Sequence, residues 1–578
     1  MAILKELLRS HLNVSILKRK LRSFIMKLAS ISVHALLICS ALAVADYSPG
    51  AAEEPFFEGL GSYSRKVTTK SAKAQRYFDQ GLAFLHGFNH GAAIRSFEQA
   101  IALDPECAMA HWAISLASGP HINFPLVPPP AAERAWKELG LAQQHAGGAT
   151  PVERALIDAL AKRYANPQPE DRSPLDLAYA DAMREVWKKF PDDADVGAFF
   201  AEALMDLRPW DQWTHSGEPQ PGTEEVLATL DAVLKLNPDH PFANHLYIHA
   251  VEASPNPERA DAASERLAKL QPALAHNVHM PSHIDIRRGR WHEAVRGNFS
   301  AIEADQKYRK TFGPPTGFLP VYAAHNRNML VYAAMMTGQR ELAMKQVRQM
   351  VAELSPGFRE EYAFIAETFL SMPLEVMMRF GMWDEILAEK DDYPDQMPFT
   401  RAFHHAARAI AYAAKRDAAS ARKEQAIYAR KVKLVPKEHF ISNNPCEAIA
   451  AVVTPMVEGE ILVAEGRPDA GIRQLRAAIE LEDQLKYDEP PGWMIPVRHS
   501  LGAVLMNEGR FAEAEEVYRE DLRRLPENGW SLYGLAESLR QQKKQKSETE
   551  NAMARFDKVW AKADLKIGSS CLCQPKLR

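Results

Sequence analysis

The sequence predicts an all-α protein built from about eight to ten helical hairpins in a row. A chain of 578 residues is too long for one hydrophobic core, so several domains or an array of repeats is expected. Its composition, with 46% hydrophobic and 25% charged residues, is typical of a soluble globular protein. A pattern of small residues, an aromatic residue and a proline returns about every 34 residues. A repeated pair of helices accounts for both the length and the period.

The clearest copy of the repeat covers residues 74–105. Gly81 and Ala93 are small enough to let two helices pack closely, and Phe97 and Ala100 fill the space between them. Pro105 ends the second helix, because proline cannot continue a helical hydrogen-bond ladder. This spacing resembles that of the tetratricopeptide repeat family.

Further copies continue to the C-terminal end, and the match is strong at both ends of the chain and looser between them. They are marked by Pro191, Pro238, Ala260 with Pro272, Gly289 with Ala294, Gly338 with Ala343, Gly459 with Ala477, and Gly502 with Ala514 and Tyr518. The resemblance implies a right-handed superhelical solenoid whose groove binds a protein or peptide partner. The formal net charge of −4 gives no reason to expect a nucleic-acid partner.

The repeats and the breaks between them divide the chain into seven predicted segments. These are a signal peptide at 1–45, an N-terminal extension at 46–70, N-terminal repeats with a proline-rich insertion at 71–190, central histidine-rich repeats at 191–350, degenerate helical repeats at 351–445, C-terminal repeats at 446–565, and a cysteine-containing tail at 566–578.

The first 45 residues have the pattern of a secretory signal peptide. Basic residues precede an apolar run over residues 28–44 that ends in Ala43-Val44-Ala45, a small-x-small cleavage pattern before Asp46. The basic residues are Lys18, Arg19, Lys20, Arg22 and Lys27. The basic region is long, so Met26 competes with Met1 as the true start. An uncleaved membrane anchor is the alternative, although the apolar run is short and contains serines and a histidine. We therefore expect an exported bacterial protein, periplasmic or secreted, with no membrane span after cleavage.

The repeat register places several histidines on one face of neighbouring helices. In tetratricopeptide repeats the second, fifth, ninth, twelfth and thirteenth residues of each repeat face the groove. Repeats that begin at Pro241, Ala275 and Ala324 put histidines and a glutamate at those positions. The predicted site residues are His245, His249, Glu252, His279, His283 and His325. The same register gives Glu202, Asp206 and Asn328 as further groove or supporting residues.

This histidine set predicts a transition-metal site. Histidines four apart on a helix have Cβ atoms about 5–6 Å apart, and packed helices lie about 8–10 Å apart. Two such pairs on adjacent helices can converge on one ion with metal–nitrogen distances of about 2.0–2.1 Å. Imidazoles with a carboxylate suit zinc, copper, iron or nickel better than calcium or magnesium. Zinc and copper are the first choices among these metals. A polar groove that binds a peptide or a small anion without metal is the alternative.

Three functions follow from these observations. The first is an exported scaffold that binds a protein or peptide and a divalent transition metal in its central groove. The second is a metal-dependent enzyme, a hydrolase or oxidoreductase, with Glu252 or Glu202 as a candidate general base. The third is an interaction scaffold without metal. The sequence contains no phosphate-binding glycine loop, nucleophile elbow or dinucleotide fingerprint.

Other histidines and the cysteines give weaker signals. His292 lacks the second histidine of a zinc-protease motif, and the adjacent His404 and His405 point to different helix faces. The four cysteines after residue 45 allow three pairings, and the sequence does not choose among them. They are Cys107, Cys446, Cys571 and Cys573. For the last two, a disulfide or two idle thiols in a frayed tail is favoured over a metal site.

Overall fold

The computed structural model describes residues 54–543 and 546–574. The predicted signal peptide at 1–45 lies outside the described residues. Helices follow one another along the chain, most of them joined by short connections. In the first half they span Ala72–His86, His90–Leu103, Ala108–Ala117, Pro129–His145, Pro151–Leu160, Ser173–Lys189, Ala194–Met205, Thr223–Leu236, Pro241–Glu252, Asp261–Leu270, Ala275–His279 and Pro281–Arg287.

The second half continues in the same way. Its helices span Trp291–Phe312, Leu319–Met336, Arg340–Glu353, Pro356–Glu361, Ala363–Arg379, Trp383–Ala388, Pro398–Ala414, Ala418–Lys431, Cys446–Ala464, Pro468–Glu482, Val497–Asn507, Phe511–Arg524, Gly529–Gln541 and Lys546–Val559. Short 3-10 turns lie at Ala146–Gly148, Pro257–Ala260 and Val432–Leu434. Two short strands, Phe440–Ile441 and Asn444–Pro445, pair antiparallel.

The hairpins form for the reasons that the repeat pattern indicates. The side chains of Ser71 and Asn89 cap the two helices of the first hairpin by accepting from Ala74 N and Ala92 N. A Cβ atom at Gly81 would lie 2.4 Å from the Phe97 ring, so only glycine permits this packing. The helix His90–Leu103 ends just before Pro105. The predicted all-α array of helical hairpins is confirmed.

The array also closes on itself. Trp291 Nε1 donates to the Pro526 carbonyl oxygen at 2.9 Å, across 235 residues. Trp530 Nε1 donates to the Met335 carbonyl oxygen at 2.8 Å. These contacts dock the C-terminal hairpins against the central ones. An ideal solenoid has contacts between neighbouring repeats only, so the register could not predict this closure.

The N-terminal hairpins cover the central repeats from the other side. Asn123 Nδ2 donates to the Tyr322 hydroxyl at 3.2 Å, and Ala273 N donates to the Gly59 carbonyl oxygen at 3.0 Å. The Phe88 ring lies 4.8 Å from the His245 ring. One hydrophobic core therefore runs from Phe57 into the central helices, and a second runs from Ile286 to the C-terminal helices. Among the described residues, no helix is long and apolar enough to cross a membrane.

Candidate metal centre

The histidine-bearing helices lie where the two cores meet. Pro241 occupies the first turn of the helix Pro241–Glu252, and the His240 side chain caps that helix by accepting from Ala243 N at 3.2 Å. Pro281 divides the next groove helix into Ala275–His279 and Pro281–Arg287. Met280 between them keeps helical dihedral angles, φ −49° and ψ −39°. The backbone therefore stays helical through Met280, and the side chains of His279 and His283 lie on the same face of the helix.

Six imidazoles form two groups of three. In each group the potential ligand atoms all lie within 4.8 Å of one another. The first group is His245, His249 and His276, and the second is His279, His283 and His325. We call them the first triad and the second triad. The structure thus brings all five predicted histidines together and adds His276.

Amide side chains fix the orientation of two imidazoles. Asn277 Nδ2 donates to Gln271 Oε1 at 2.6 Å, which leaves its oxygen for His245 Nδ1 at 2.8 Å. Asn298 Nδ2 donates to the Ala294 carbonyl oxygen at 2.8 Å, and its oxygen faces His279 Nδ1 at 2.6 Å. Because an amide oxygen only accepts, each Nδ1 must carry the proton. The Nε2 atoms of His245 and His279 then present lone pairs.

Glu252 orients one imidazole of each triad. Its Oε1 accepts from His249 Nδ1 at 2.7 Å, and its Oε2 accepts from His283 Nδ1 at 2.6 Å. A metal-binding histidine usually donates a hydrogen bond from one ring nitrogen to a carboxylate. That hydrogen bond directs the other ring nitrogen at the ion. In this structure Glu252 is engaged as such an acceptor. Its assignment as a direct ligand stays a prediction.

The Nε2 atoms have no conventional partners in the described part of the chain. His245 Nε2 and His249 Nε2 are buried without a hydrogen bond. His279 Nε2 faces His283 Nε2 at 2.8 Å. Since both Nδ1 atoms are donors, this pair needs a proton between the two Nε2 atoms, which makes His283 an imidazolium. A positive charge therefore belongs where the nitrogens converge, and a metal ion would supply it.

The electrostatics of the site agree with this arrangement. Burial lowers the pKa values of His245, His276 and His279, and it lowers the pKa of His325 to about 3. Burial also opposes charge on His283, but the Glu252 carboxylate outweighs it and raises the pKa of His283. Burial would raise the pKa of Glu252, and the neighbouring His283 and His249 instead lower it to about 2. Neutral imidazoles are the form that binds metal.

The predicted open groove is wrong at this site. His245, His279 and His283 are 0% exposed, and Glu252 is 1% exposed. The closure of the array covers them, and only His325 is partly exposed. The cluster is an interior site that a ligand reaches through a cavity.

The three supporting residues have different surroundings. Asp206 forms a buried ion pair with Arg163, and Glu202 lies within electrostatic reach of the same pair. Burial raises the pKa of Glu202 and that of Asp206. Asn328 is buried, and its Oδ1 has no hydrogen-bond partner among the described residues. Glu202 and Asp206 therefore interact with Arg163, while Asn328 lies on the same helix as His325.

A cavity of about 100 Å³ reaches the cluster from outside. Its floor includes His249 and His276 of the first triad and His325 of the second. The carboxyl groups of Asp488 and Glu489 line it as well, beside an apolar wall formed by Phe318, Val321, Ile365 and Phe369. Glu489 Oε2 is buried without a hydrogen bond, and burial raises the pKa of Glu489 to about 7. The cluster is thus accessible to a small molecule.

Residues 208–222, an insertion between the helices Ala194–Met205 and Thr223–Leu236, lie over this cavity. The Trp210 ring meets the His249 ring edge-on at 5.0 Å, and Trp213 Nε1 donates to the Ala250 carbonyl oxygen at 2.8 Å. Trp210 is also a lining residue of the cavity. The insertion therefore packs on the helix that carries His245 and His249.

Sequence reasoning missed several residues of the site. His276 is the second residue of the repeat beginning at Ala275, which is itself a groove position, so the register contained the signal. Asn277 and Asn298 act through tertiary contacts that the repeat pattern does not encode. Glu489 comes from a loop more than 160 residues beyond His325, and no motif marks it.

The C-terminal cysteines are packed into the protein. Cys571 and Cys573 form a disulfide, and both are buried beside the Ser500 hydroxyl. Arg379 Nη2 donates to the Ser570 carbonyl oxygen at 2.9 Å, which holds the segment in place. The disulfide is one of the two expected outcomes for this pair, and the other, two idle thiols in a frayed tail, is wrong. Cys107 and Cys446 are free and buried.

Comparisons with known proteins add little to these observations. No family model and no curated protein matches the chain. Among solved structures, a human IFIT1 dimer with m7Gppp-AAAA is 12% identical, covers 86% of this chain and 92% of its own, and has a TM-score of 0.34. The APC/C hetero-tetramer Cut9-Hcn1 is 12% identical, with coverages of 84% and 76% and a TM-score of 0.30. Yeast Tom70 is 9% identical, with coverages of 84% and 93% and a TM-score of 0.28. At these values the description of the fold rests on this chain's own helices.

Proposed function

We propose that this protein binds a divalent transition metal, zinc or copper first, in the interior of its helical array. The observation that carries the proposal is the orientation of the imidazoles. Four Nδ1 atoms donate to Asn277, Asn298 and Glu252, which turns the four Nε2 atoms into the buried space, and those of His245 and His249 have no hydrogen-bond partner there. Burying such groups without a partner costs about 1–3 kcal/mol each. A bound ion would offset that cost.

Elemental analysis of the untagged full chain, purified without chelator, tests this proposal. We expect stoichiometric zinc or copper in the wild-type protein. The His249→Ala/His283→Ala variant should lose it, because it removes one imidazole from each triad and both partners of Glu252. The matched control is His145→Ala/His215→Ala, which removes two histidines outside the cluster. A wild-type protein without stoichiometric Zn, Cu, Fe or Ni would refute the proposal, and full metal content in His249→Ala/His283→Ala would show that these residues are not the ligands.

A metal-dependent enzyme is the second candidate, and the cavity favours it. An ion on the first or second triad would have three protein ligands and a position facing the cavity, an arrangement typical of catalytic sites. Glu489 is better placed as a general base than Glu252 or Glu202, because its Oε2 is free while Glu252 already accepts from two imidazoles. Metal-loaded protein can be assayed on activated ester and phosphoester substrates. Activity that falls in Glu489→Gln at unchanged metal content would support this candidate, and equal activity would remove Glu489 from it.

We further propose that the protein is exported and binds a protein or peptide through the outer surfaces of its terminal repeats. The apolar run before Asp46 supports export, and the resemblance of both ends to tetratricopeptide repeats supports partner binding. N-terminal sequencing of the protein recovered from the periplasm or medium of its host tests export. A mature chain that begins at Asp46 is the expected result, and an intact N-terminus in the cytoplasm would contradict it.

A further inference from the structure

We infer that the cluster is a two-ion centre, with one divalent transition metal on each triad and a shared face open to the cavity for a small anion. This inference rests on the proposed metal binding and specifies its stoichiometry and its ligand. Each triad by itself provides three imidazole nitrogens, which is the protein ligand set of an open zinc or copper site. No residue has to serve both triads. The structure therefore offers two complete sites rather than one crowded one.

The ligand geometry disfavours a single ion shared by all six imidazoles. Two nitrogens on one zinc ion lie no more than about 4.2 Å apart, since each bond is about 2.1 Å long. Within each triad the ligand atoms lie within 4.8 Å of one another, close to that limit. The six imidazoles do not form one group at this spacing, and His249 and His283, one from each triad, share a group only with Glu252. The two groups are thus adjacent but distinct.

Glu252 couples the two sites. One of its oxygens orients His249 of the first triad and the other orients His283 of the second. A carboxylate that supports one ligand of each ion also places a negative charge between two positive ones, which reduces their repulsion.

The cavity meets both triads at the same place. His249 and His276 of the first triad and His325 of the second line it together with Glu489. A small anion entering there would reach both ions. Azide is a suitable probe, because it is compact and its complexes with Cu²⁺ and Co²⁺ absorb visible or near-ultraviolet light.

Titration of the metal-free full chain with Co²⁺ and Cu²⁺ tests the inference. We expect two ions per chain in the wild-type protein. We expect one ion in His245→Gln/His276→Gln and one in His279→Gln/His325→Gln, because each variant spares the other triad. Glutamine keeps the sites polar, and circular dichroism identifies a variant that fails to fold. If such a variant is unfolded, the single substitutions His276→Gln and His325→Gln replace it in the titration.

Spectroscopy separates two neighbouring ions from two independent ones. In Cu²⁺-loaded wild type, we expect magnetic coupling to reduce the integrated electron paramagnetic resonance signal per copper, with the full signal restored in both double variants. We expect azide to change the absorption of the wild type at a lower concentration than either variant requires. One ion in the wild type, lost in both double variants, would overturn the two-ion inference and leave the proposed metal binding intact. No ion in the wild type would overturn both.

Discussion

Buried histidines in this chain are of two kinds, which differ in whether the second ring nitrogen has a hydrogen-bond partner. His499 Nδ1 accepts from Arg379 Nη1 at 2.6 Å, and its Nε2 donates to Asp521 Oδ2 at 2.9 Å. His245 and His249 have one nitrogen fixed in the same way, but the other is buried without a hydrogen bond. Burial of a histidine is therefore no sign of metal binding by itself. The sign is a set of free nitrogens that converge.

His86 refines this contrast. Both of its ring nitrogens are buried without a hydrogen-bond partner among the described residues, as at His276. Its ring stacks on Phe242 at 5.1 Å. Unlike His276, it belongs to no group of three potential ligands in the described chain. Unpartnered ring nitrogens thus form a candidate metal site only where other potential ligands lie close to them. Four predictions test the two kinds of histidine.

The largest expected effect concerns the satisfied histidine. His499→Ala should lower the free energy of unfolding by roughly 3–5 kcal/mol, because it removes the hydrogen-bond partner of Arg379 Nη1 and one partner of the buried Asp521 carboxylate. Metal content should stay at the wild-type level. Chemical denaturation and elemental analysis measure the two quantities. If the folded variant lost its metal, the distinction between hydrogen-bonded histidines and metal-binding histidines would be wrong.

The next effect concerns the amides that orient the imidazoles. Asn277→Ala and Asn298→Ala should each weaken metal binding about 10–100-fold, since such supporting residues fix the ring that binds the ion. Asn528→Ala is the matched control. Asn528 Nδ2 donates to Asp521 in the His499 network at 3.0 Å, far from any proposed ligand in sequence. Competition with a chromophoric chelator measures the affinities, and equal affinities in all three variants would contradict the proposed role of the amides.

A third effect is the pH dependence that His86 imposes on stability. Burial lowers its folded pKa from 6.5 to about 3, so the unfolded chain binds more protons between those values. Stability should therefore fall as the pH drops below 6.5, with a slope of at most about 1.4 kcal/mol per pH unit from this residue. His86→Phe should reduce that slope in the metal-free protein. Denaturation curves recorded between about pH 7 and pH 5 give the result, and an unchanged slope would mean that His86 is not the titrating group.

The smallest effect is a gain in stability. His276→Phe should stabilise the metal-free protein by about 1 kcal/mol, because it replaces a buried ring with two unpartnered nitrogens by an apolar ring of similar shape. His86→Phe should give a similar gain at neutral pH. Only His276→Phe should also reduce metal binding. A destabilised His276→Phe protein would argue that this imidazole has a partner of its own in solution.

The sequence was sufficient for the hairpins because their packing is local. Gly81 against Phe97 is a contact between two helices of one repeat, and the residue types identify it. The same register located five of the six imidazoles on neighbouring helices. His276 satisfied that rule as well, at the second position of its repeat.

The burial of the site could not be predicted in this way. It depends on contacts such as that of Trp291 with Pro526 and that of Asn123 with Tyr322, which join repeats far apart in sequence. A repeat pattern carries information about neighbours only. For the same reason the pattern predicted neither the cavity nor the carboxyl group of Glu489. The distinction between an open groove and an interior centre is a property of the closed array.

The long separation between Trp291 and Pro526 also has a consequence for the order of assembly. All six imidazoles and Glu252 belong to residues 245–325, whereas Pro526, which contacts Trp291 on the central hairpins, follows Trp291 by 235 residues. A chain that folds from its N-terminus completes the ligand set while this side is still open to solvent. Ions can then enter freely, whereas docking of the last hairpins leaves the cavity as the route to the cluster. A fully assembled protein stripped of metal should therefore reload more slowly than a chain that folds in the presence of metal.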